Sequence, residues 1–255
     1  MTDLTQDEIV SKVSLIFDVK DIVINTNDIR LKIEDKDFKD KFVNLARQLE
    51  VRNFVPHLEK SFDGVYIVVT RLHETKRKWL SKSWVPRILF AVTVTFVLID
   101  GYFRTDFVNS LAFIGDPFEM SILYAFSLIG ILGVHESGHL IAAKKHKIKT
   151  SWPFFIPGIP VFGIPTFGAL IQSKGLIINR DILFDVAIAG PIAGLVIAII
   201  VCIFGAYTSP EISNELADEL FKESQLMKMN MPILMSISLD AFDKGGKDAQ
   251  VVMSP

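Results

Sequence analysis

The chain has 255 residues, a mean hydropathy of +0.38 and a formal net charge of −2 at pH 7. This charge excludes a protein that binds nucleic acid through bulk positive charge, and the single cysteine, Cys202, excludes an internal disulfide framework. Half of the residues are hydrophobic, and most charged residues lie outside residues 88–210. The separation predicts a soluble N-terminal part joined to an apolar membrane core. No basic segment typical of a secretory signal opens the chain, so we expect internal segments to direct membrane insertion.

Residues 1–78 are predicted to form a small soluble α+β domain. Apolar residues recur with helical spacing over residues 7–17 and again over residues 37–49. Residues 21–34 alternate as a hairpin would, with the polar sequence Asn-Thr-Asn-Asp as its turn, and the β-branched run 65–70 predicts a strand. We expect this domain to be a folded appendage without chemistry of its own.

Three long apolar segments follow, over residues 84–103, 122–143 and 182–207. Each is long enough to cross a bilayer as a helix. We therefore predict an α-helical polytopic membrane core over residues 84–207, with a polar segment, residues 208–255, after the third span.

An apolar segment between the second and third spans, residues 152–171, has too many helix-breaking residues to form a regular helix. Because unpaired backbone must be shielded from lipid, we predict a re-entrant or membrane-edge loop. Two roles stay open for it: pairing with an extended substrate by strand addition, or a structural plug beside the site. The breakers are Pro153, Pro157, Pro160, Pro165, Gly158, Gly163 and Gly168.

The flanking charges predict the orientation of these spans. The basic run Lys76-Arg77-Lys78 precedes the first span, and lysines follow the second, whereas the connection 104–119 is predominantly acidic. Because cytoplasmic flanks are enriched in lysine and arginine, we expect a cytoplasmic N-terminus, residues 144–180 inside and residues 208–255 outside. The predicted location is an integral protein of the cell membrane.

The second span contains His135-Glu136-Ser137-Gly138-His139, which matches H-E-x-x-H. Residues four apart share a helix face, so both imidazoles can reach one metal ion. Glu136 is placed to take a proton from a water that zinc has made acidic. The structural alternative is a set of satisfied polar groups in a helix bundle. Ionisable residues in an apolar span are costly unless they serve a function, which favours the metal site. His57 and His73 lack such spacing.

This motif, together with the sequence Ala-Gly-Pro-Ile-Ala-Gly at residues 189–194, resembles the site-2 protease family of intramembrane zinc metallopeptidases. The resemblance covers residues 84–207 and is strongest to the branch shared by archaeal homologues and plant plastid proteases. It implies that His135 and His139 are zinc ligands, that Glu136 is the catalytic acid and base, and that zinc is the cofactor.

The resemblance also implies a third ligand, an aspartate in a later span within a Leu-Asp-Gly or similar motif. That motif does not occur in the chain, so we expect a C-terminally truncated form. Asp185 could substitute, although a carboxylate near a helix N-terminus needs no metal to explain it. Asp240 and Asp243 would lie on the opposite side of the membrane.

The leading hypothesis is therefore an intramembrane zinc-dependent endopeptidase that cleaves transmembrane segments of membrane-protein substrates in the lipid bilayer, with no nucleic-acid partner. One alternative is a truncated or degenerate relative that binds membrane proteins without cutting them. A transporter or metal-handling protein is a third hypothesis, disfavoured because transport needs no base at Glu136. The substrate-binding residues and the oligomeric state do not follow from the sequence.

Overall fold

The computed structural model describes residues 5–25, 28–34, 38–72, 82, 84–110, 113–160, 164–209, 211–215, 218, 232–242 and 249–251. Several features named from the sequence lie outside these residues, namely His73, Lys76-Arg77-Lys78, Gly163 and Asp243. The chain divides into two compact units. One comprises Met1–Ser81 with Ser173–Phe184, and the other comprises Lys82–Gln172 with Asp185–Pro255.

The first unit is an α+β fold with one antiparallel four-stranded sheet of strand order β1-β2-β4-β3. The predicted helices, hairpin and final strand of this region are confirmed, whereas strand β3 was not predicted. Its edge position explains how it tolerates a proline, Pro56, which has no N–H to donate. The elements are α1 (Gln6–Ser14), β1 (Val19–Ile24), β2 (Asp28–Ile33), α2 (Lys39–Glu50), β3 (Phe54–Ser61) and β4 (Gly64–Arg71).

The core of this unit forms where both helices cover one face of the sheet. Strand β2 alternates between partly exposed and buried residues, as a strand with one covered face must. Helix α1 begins at a capping box in which Thr5 and Glu8 each bond the other's backbone N–H. The buried apolar residues are Ile9, Val13, Phe17, Ile29, Leu31, Ile33, Phe42, Leu45, Leu49, Ile67 and Val69.

Residues 173–184 belong to this same unit, although they are distant from it in sequence. Ile178 packs against the core, and the Leu176 N–H donates to Oε1 of Glu50 at 2.7 Å. Lys39 forms an ion pair with Asp181. The segment and the α2–β3 region line a cavity of about 660 Å³. The N-terminal unit therefore includes the chain that leads into the third apolar helix.

A polar cluster closes the β3–β4 connection. The Tyr66 hydroxyl donates to Asp63 at 2.6 Å, and Nζ of Lys32 lies 3.3 Å from the same carboxylate oxygen. The Tyr66 hydrogen bond, supported by the Lys32 ammonium, lowers the pKa of Asp63 to about 2.

Among the described residues, three helices are long and apolar enough to cross a membrane, and the third begins within the first unit. They are α3 (Val85–Asn109), α4 (Pro117–Lys145) and α5 (Arg180–Thr208). Helix α3 extends beyond the C-terminal end of its predicted span, and α4 and α5 extend beyond both ends of theirs. Asp116 caps α4 by accepting from the N–H groups of Phe118 and Glu119 at 2.9 and 3.1 Å. Asn179 accepts from the Ile182 N–H and fixes the start of α5.

Helices α3 and α4 are joined by a buried charge. Asp100 on α3 is fully buried and accepts hydrogen bonds from Nε of Arg104 at 2.6 Å and from the Tyr124 hydroxyl at 3.2 Å. A side chain at Gly101 would place its Cβ 2.7 Å from the Tyr124 ring, so the helices need glycine to approach this closely. Because a buried carboxylate requires partners, this cluster holds α3 against α4.

The proline- and glycine-rich segment forms an antiparallel hairpin of β5 (Phe154–Ile159) and β6 (Ile164–Leu170). The prediction that it is not helical is confirmed, but the regular pairing was not predicted. Phe155 packs edge-on against Phe90 of α3, with ring centroids 5.0 Å apart. A Cβ at Gly158 would clash with the backbone carbonyl of Ile164 on the opposite strand. The hairpin therefore packs on the long apolar helices α3 and α4.

The described residues after α5 form short elements. Helix α6 (Ile233–Ala241) is followed by Phe242, whose ring lies 5.6 Å from that of Tyr207 near the end of α5. Strands β7 (Glu211–Ser213) and β8 (Ala249–Val251) pair in antiparallel orientation.

Candidate metal centre on helix α4

The H-E-x-x-H motif lies in an uninterrupted part of α4, as its spacing predicts. The rings of His135 and His139 lie one turn apart and meet edge to face, with centroids 4.9 Å apart and planes at 77°. Their Nε2 atoms are 3.2 Å apart. The structure therefore brings together the two residues that the sequence identified as metal ligands.

This separation can be tested against the geometry of a zinc site. Two nitrogens bound to one zinc at about 2.0–2.1 Å with a tetrahedral angle lie roughly 3.3 Å apart. The 3.2 Å between Nε2 of His135 and Nε2 of His139 agrees with that nitrogen–nitrogen distance. The separation of the two nitrogens is therefore the one that two ligands of a single zinc ion require.

The tautomer of His139 follows from its other ring nitrogen. Nδ1 lies 2.7 Å from the backbone carbonyl oxygen of Val186 on α5. A carbonyl only accepts, so Nδ1–H is the donor and the lone pair of a neutral ring is left on Nε2. Metal-bound histidines usually bind a carbonyl or carboxylate through the second nitrogen in this way. The contact orients His139 towards the place where the Nε2 atoms converge.

Glycines let α5 approach this part of α4. A Cβ at Gly190 would clash with the His139 ring, and one at Gly194 would lie 3.1 Å from both Cβ and Nδ1 of His135. From the other helix, a Cβ at Gly138 would lie 2.5 Å from the Ala189 carbonyl oxygen. The glycines of the Ala-Gly-Pro-Ile-Ala-Gly sequence thus make room for the two imidazole rings.

Glu136 is the charged residue among those that α4 buries. Only 6% of its surface is exposed, although most of this helix is open to its surroundings. The other buried residues of the helix are Ser121, Ala125 and Ala143. A carboxylate next in sequence to His135 and shielded from bulk water is suited to proton transfer at the metal position.

No group of three histidine, cysteine, aspartate or glutamate side chains that could hold a metal ion occurs among the described residues. Asp185, the substitute considered from the sequence, accepts instead from Nε2 of His146 at 2.9 Å. Asp240 is exposed on α6, which contacts the opposite end of α5 through Phe242. The described part of the chain therefore contains the two predicted ligands, His135 and His139, and the predicted base, Glu136.

Sequence reasoning missed two contacts of this region, that of His139 with Val186 and that of His146 with Asp185. The Val186 carbonyl is a backbone group, so no side-chain pattern could reveal it. His146 had a usable signal, because it lies seven residues after His139 and therefore on the same face of α4. Its partner Asp185 was noticed only as a possible ligand.

Comparison with known proteins agrees with this geometry. The model of the family described as Peptidase family M50 matches residues 123–253, just over half of the chain. The match includes the H-E-x-x-H motif and the whole of α5, and it extends past the third apolar helix. No solved structure matches the chain.

Curated relatives match over a shorter stretch. Probable zinc metalloprotease EGY1, chloroplastic, of Oryza sativa subsp. japonica is 40% identical over 77 residues, which are 30% of this chain and 13% of the relative. The Arabidopsis thaliana protein of the same name is 38% identical over 85 residues, or 30% of this chain and 15% of the relative. Probable zinc metalloprotease EGY2, chloroplastic, of Arabidopsis thaliana is 42% identical over 62 residues, or 24% and 11%. The matched stretch is thus less than a sixth of each relative.

Proposed function

The chain belongs to peptidase family M50, and from this we propose that it is a zinc-dependent endopeptidase acting within a membrane. One observation carries the proposal. On a helix that is apolar and long enough to cross a bilayer, the Nε2 atoms of His135 and His139 converge to 3.2 Å, and Glu136, next in sequence to His135, is buried. The names of the relatives, which describe zinc metalloproteases, support zinc as the metal.

His135 and His139 would hold the zinc through Nε2. A zinc ion supplies Lewis-acid chemistry, which lowers the pKa of water towards neutrality and polarises a peptide carbonyl. Glu136 takes a proton from the attacking water and passes it to the amide nitrogen of the leaving product. The Val186 carbonyl keeps the proton of His139 on Nδ1 throughout, so Nε2 stays available for the metal.

We propose that the substrate is a transmembrane segment presented in extended form. A helical segment has its backbone hydrogen bonds closed, so it has to unwind before its peptide bond can be attacked. Strand β6 of the hairpin exposes Ile164, Phe167 and Leu170, which suits pairing with an unwound segment. A photo-crosslinker at Phe167 would then capture substrate, whereas one at Phe118 on α4, equally exposed, would not. A plug role predicts no capture at either position.

We propose that the three long helices span the membrane with the N-terminus on the cytoplasmic side, on the basis of their apolar composition and the lysine-rich residues 144–149. The names of the relatives place those proteins in chloroplasts, so the predicted cell-membrane location has no support from them.

One observation favours a second function. Two histidines are one protein ligand short of the usual catalytic set, and the described residues supply no third. A chain with that ligand set would bind membrane proteins without cutting them. Comparing the wild type with Glu136→Gln distinguishes the two functions. An enzyme cleaves substrate faster than its Glu136→Gln variant, whereas a binding protein captures substrate equally with either residue.

The zinc site itself is tested by titrating the purified chain with zinc in detergent against a competing chelator. We expect His135→Ala and His139→Ala to lose the binding that the wild type shows. His57→Ala, an exposed histidine on β3, serves as the matched control and should bind like the wild type. Equal zinc affinity in all four proteins would rule out this metal site.

A further inference from the structure

The metal-binding face of α4 continues beyond the motif to a third histidine. His146 lies eleven residues after His135 and seven after His139, so all three share one side of the helix. His146 caps the end of α4, and its Nε2 lies 2.9 Å from Oδ2 of Asp185 on α5. Because a carboxylate only accepts, Nε2–H of His146 donates.

Two consecutive residues of α5 thus contact two histidines of α4. The Asp185 side chain binds His146, and the backbone carbonyl of the next residue, Val186, accepts from Nδ1 of His139 at 2.7 Å. The Val186 carbonyl cannot keep its place on the His139 ring unless this turn of α5 stays against α4. The neighbouring side-chain contact anchors that same turn.

The position of Asp185 in α5 argues against a simpler explanation. Helix α5 begins at Arg180, so Asp181 lies in its first turn and Asp185 one turn further on. The favourable effect of a helix N-terminus on a carboxylate fades beyond the first turn. The helix N-terminus and the Lys39 ammonium stabilise the Asp181 carboxylate. The Asp185 carboxylate is instead stabilised by its hydrogen bond from His146.

We propose that His146 and Asp185 are positioning residues for the zinc site. Their hydrogen bond holds the start of α5 so that the Val186 carbonyl fixes the His139 ring with its proton on Nδ1 and its Nε2 directed to the metal. This inference rests on the proposed function, because it assigns the pair a role towards the same zinc-binding histidine.

The test measures two properties of the full chain in detergent. One is zinc affinity by chelator competition. The other is the tautomer of His139 in the metal-free protein, read from nitrogen-15 NMR of histidine-labelled samples and assigned with His139→Ala. The variants are His146→Ala, Asp185→Ala, the double variant, and His146→Gln, whose amide nitrogen can donate as Nε2 does. Asp181→Ala is the matched control for the acidic residue, and Lys145→Ala, exposed at the same end of α4, is the control for the basic flank.

We expect each single alanine variant to weaken zinc binding about two- to fivefold, which is the size of effect that one partly exposed side-chain pair supplies. The double variant should be no weaker than either single one, since both remove the same hydrogen bond. The His139 proton should redistribute between Nδ1 and Nε2 in the alanine variants and return to Nδ1 in His146→Gln. Both controls should match the wild type.

Two failures can be told apart. If wild-type zinc binding does not depend on His135 and His139, the proposed function fails. If it does depend on them but His146→Ala and Asp185→Ala match the controls in affinity and tautomer, the pair has no positioning role. If an alanine variant does not fold, His146→Gln still tests the proposal. A folded Gln variant in which the His139 proton is distributed between Nδ1 and Nε2 would contradict it.

Discussion

Replacing Gly190 with alanine adds one methyl group at the point where α5 meets the metal histidines. The Cβ of that alanine would clash with Nε2, Cδ2 and Cε1 of His139, and Nε2 is the atom proposed to bind zinc. The ring cannot simply retreat, because its Nδ1 is held by the Val186 carbonyl of the same helix. Either the ring turns away from the metal position or α5 moves away from α4.

The expected magnitude follows from the cost of overpacking. Forcing a methyl group into a well-packed site typically costs about 1–3 kcal/mol. If this cost is felt at the metal, zinc binding weakens by roughly 5- to 150-fold. Gly194→Ala should be milder, because its Cβ would lie 3.1 Å from Cβ and Nδ1 of His135 and a shift of a few tenths of an ångström relieves the contact.

The assay is zinc titration against a chelator, with thermal unfolding in the same detergent as a check on folding. Gly205→Ala is the matched control, because it lies in α5 but nothing lies within 4 Å of an added Cβ. It reports the general effect of exchanging glycine for a better helix former in this helix. We expect the loss of affinity to be greatest for Gly190→Ala, smaller for Gly194→Ala and negligible for Gly205→Ala. If Gly190→Ala binds zinc as Gly205→Ala does, the packing of α5 on His139 is wrong.

Three further predictions concern chemistry, topology and acid stability. Glu136→Gln should keep zinc affinity but slow the cleavage of a membrane substrate by about 10²–10⁴-fold, and near-normal cleavage would show that another group is the base. In a Cys202→Ala background, an impermeant thiol reagent should label a cysteine at Asp116 from outside only and one at Lys147 from inside only; the reverse pattern would invert the orientation. Because the pKa of Asp63 is lowered to about 2 from 3.8, Asp63→Asn should destabilise the N-terminal unit above about pH 4 and have no effect below about pH 2, as measured by hydrogen exchange. A loss of stability in Asp63→Asn that does not change with pH would contradict this prediction.

The sequence was sufficient where a short-range pattern determines geometry. Four-residue spacing on a helix places His135 and His139 on one face, and the structure has their Nε2 atoms converge. The apolar lengths likewise predicted three long helices, because helix rise and bilayer thickness leave little choice. Membrane insertion and the roles of the site residues remain predictions.

The sequence was insufficient where contacts are long-range or use the backbone. Residues 173–184 pack into the N-terminal unit through Ile178 and through the Leu176 N–H, and no local pattern predicts that Glu50 will accept it across 126 positions. The sequence did not predict the hairpin β5–β6. Its prolines exclude a helix, but they do not indicate which residues pair across the strands, such as Pro157 with Thr166.

The geometry of α5 restricts where a third metal ligand can come from. The two histidines lie against the stretch from Val186 to Gly194, and Asp185 at its start is bound to His146. Phe242, two residues after Asp240, contacts Tyr207, which is thirteen residues beyond Gly194 and therefore about 20 Å further along the helix. An aspartate side chain reaches only a few ångströms, so Asp240 cannot complete the site while α6 stays on that end of α5. A third carboxylate that completes the proposed site has to reach α4 and α5 at the level of Gly190, close to where Gly138 packs on Ala189, and neither Asp185 nor Asp240 is placed to do so.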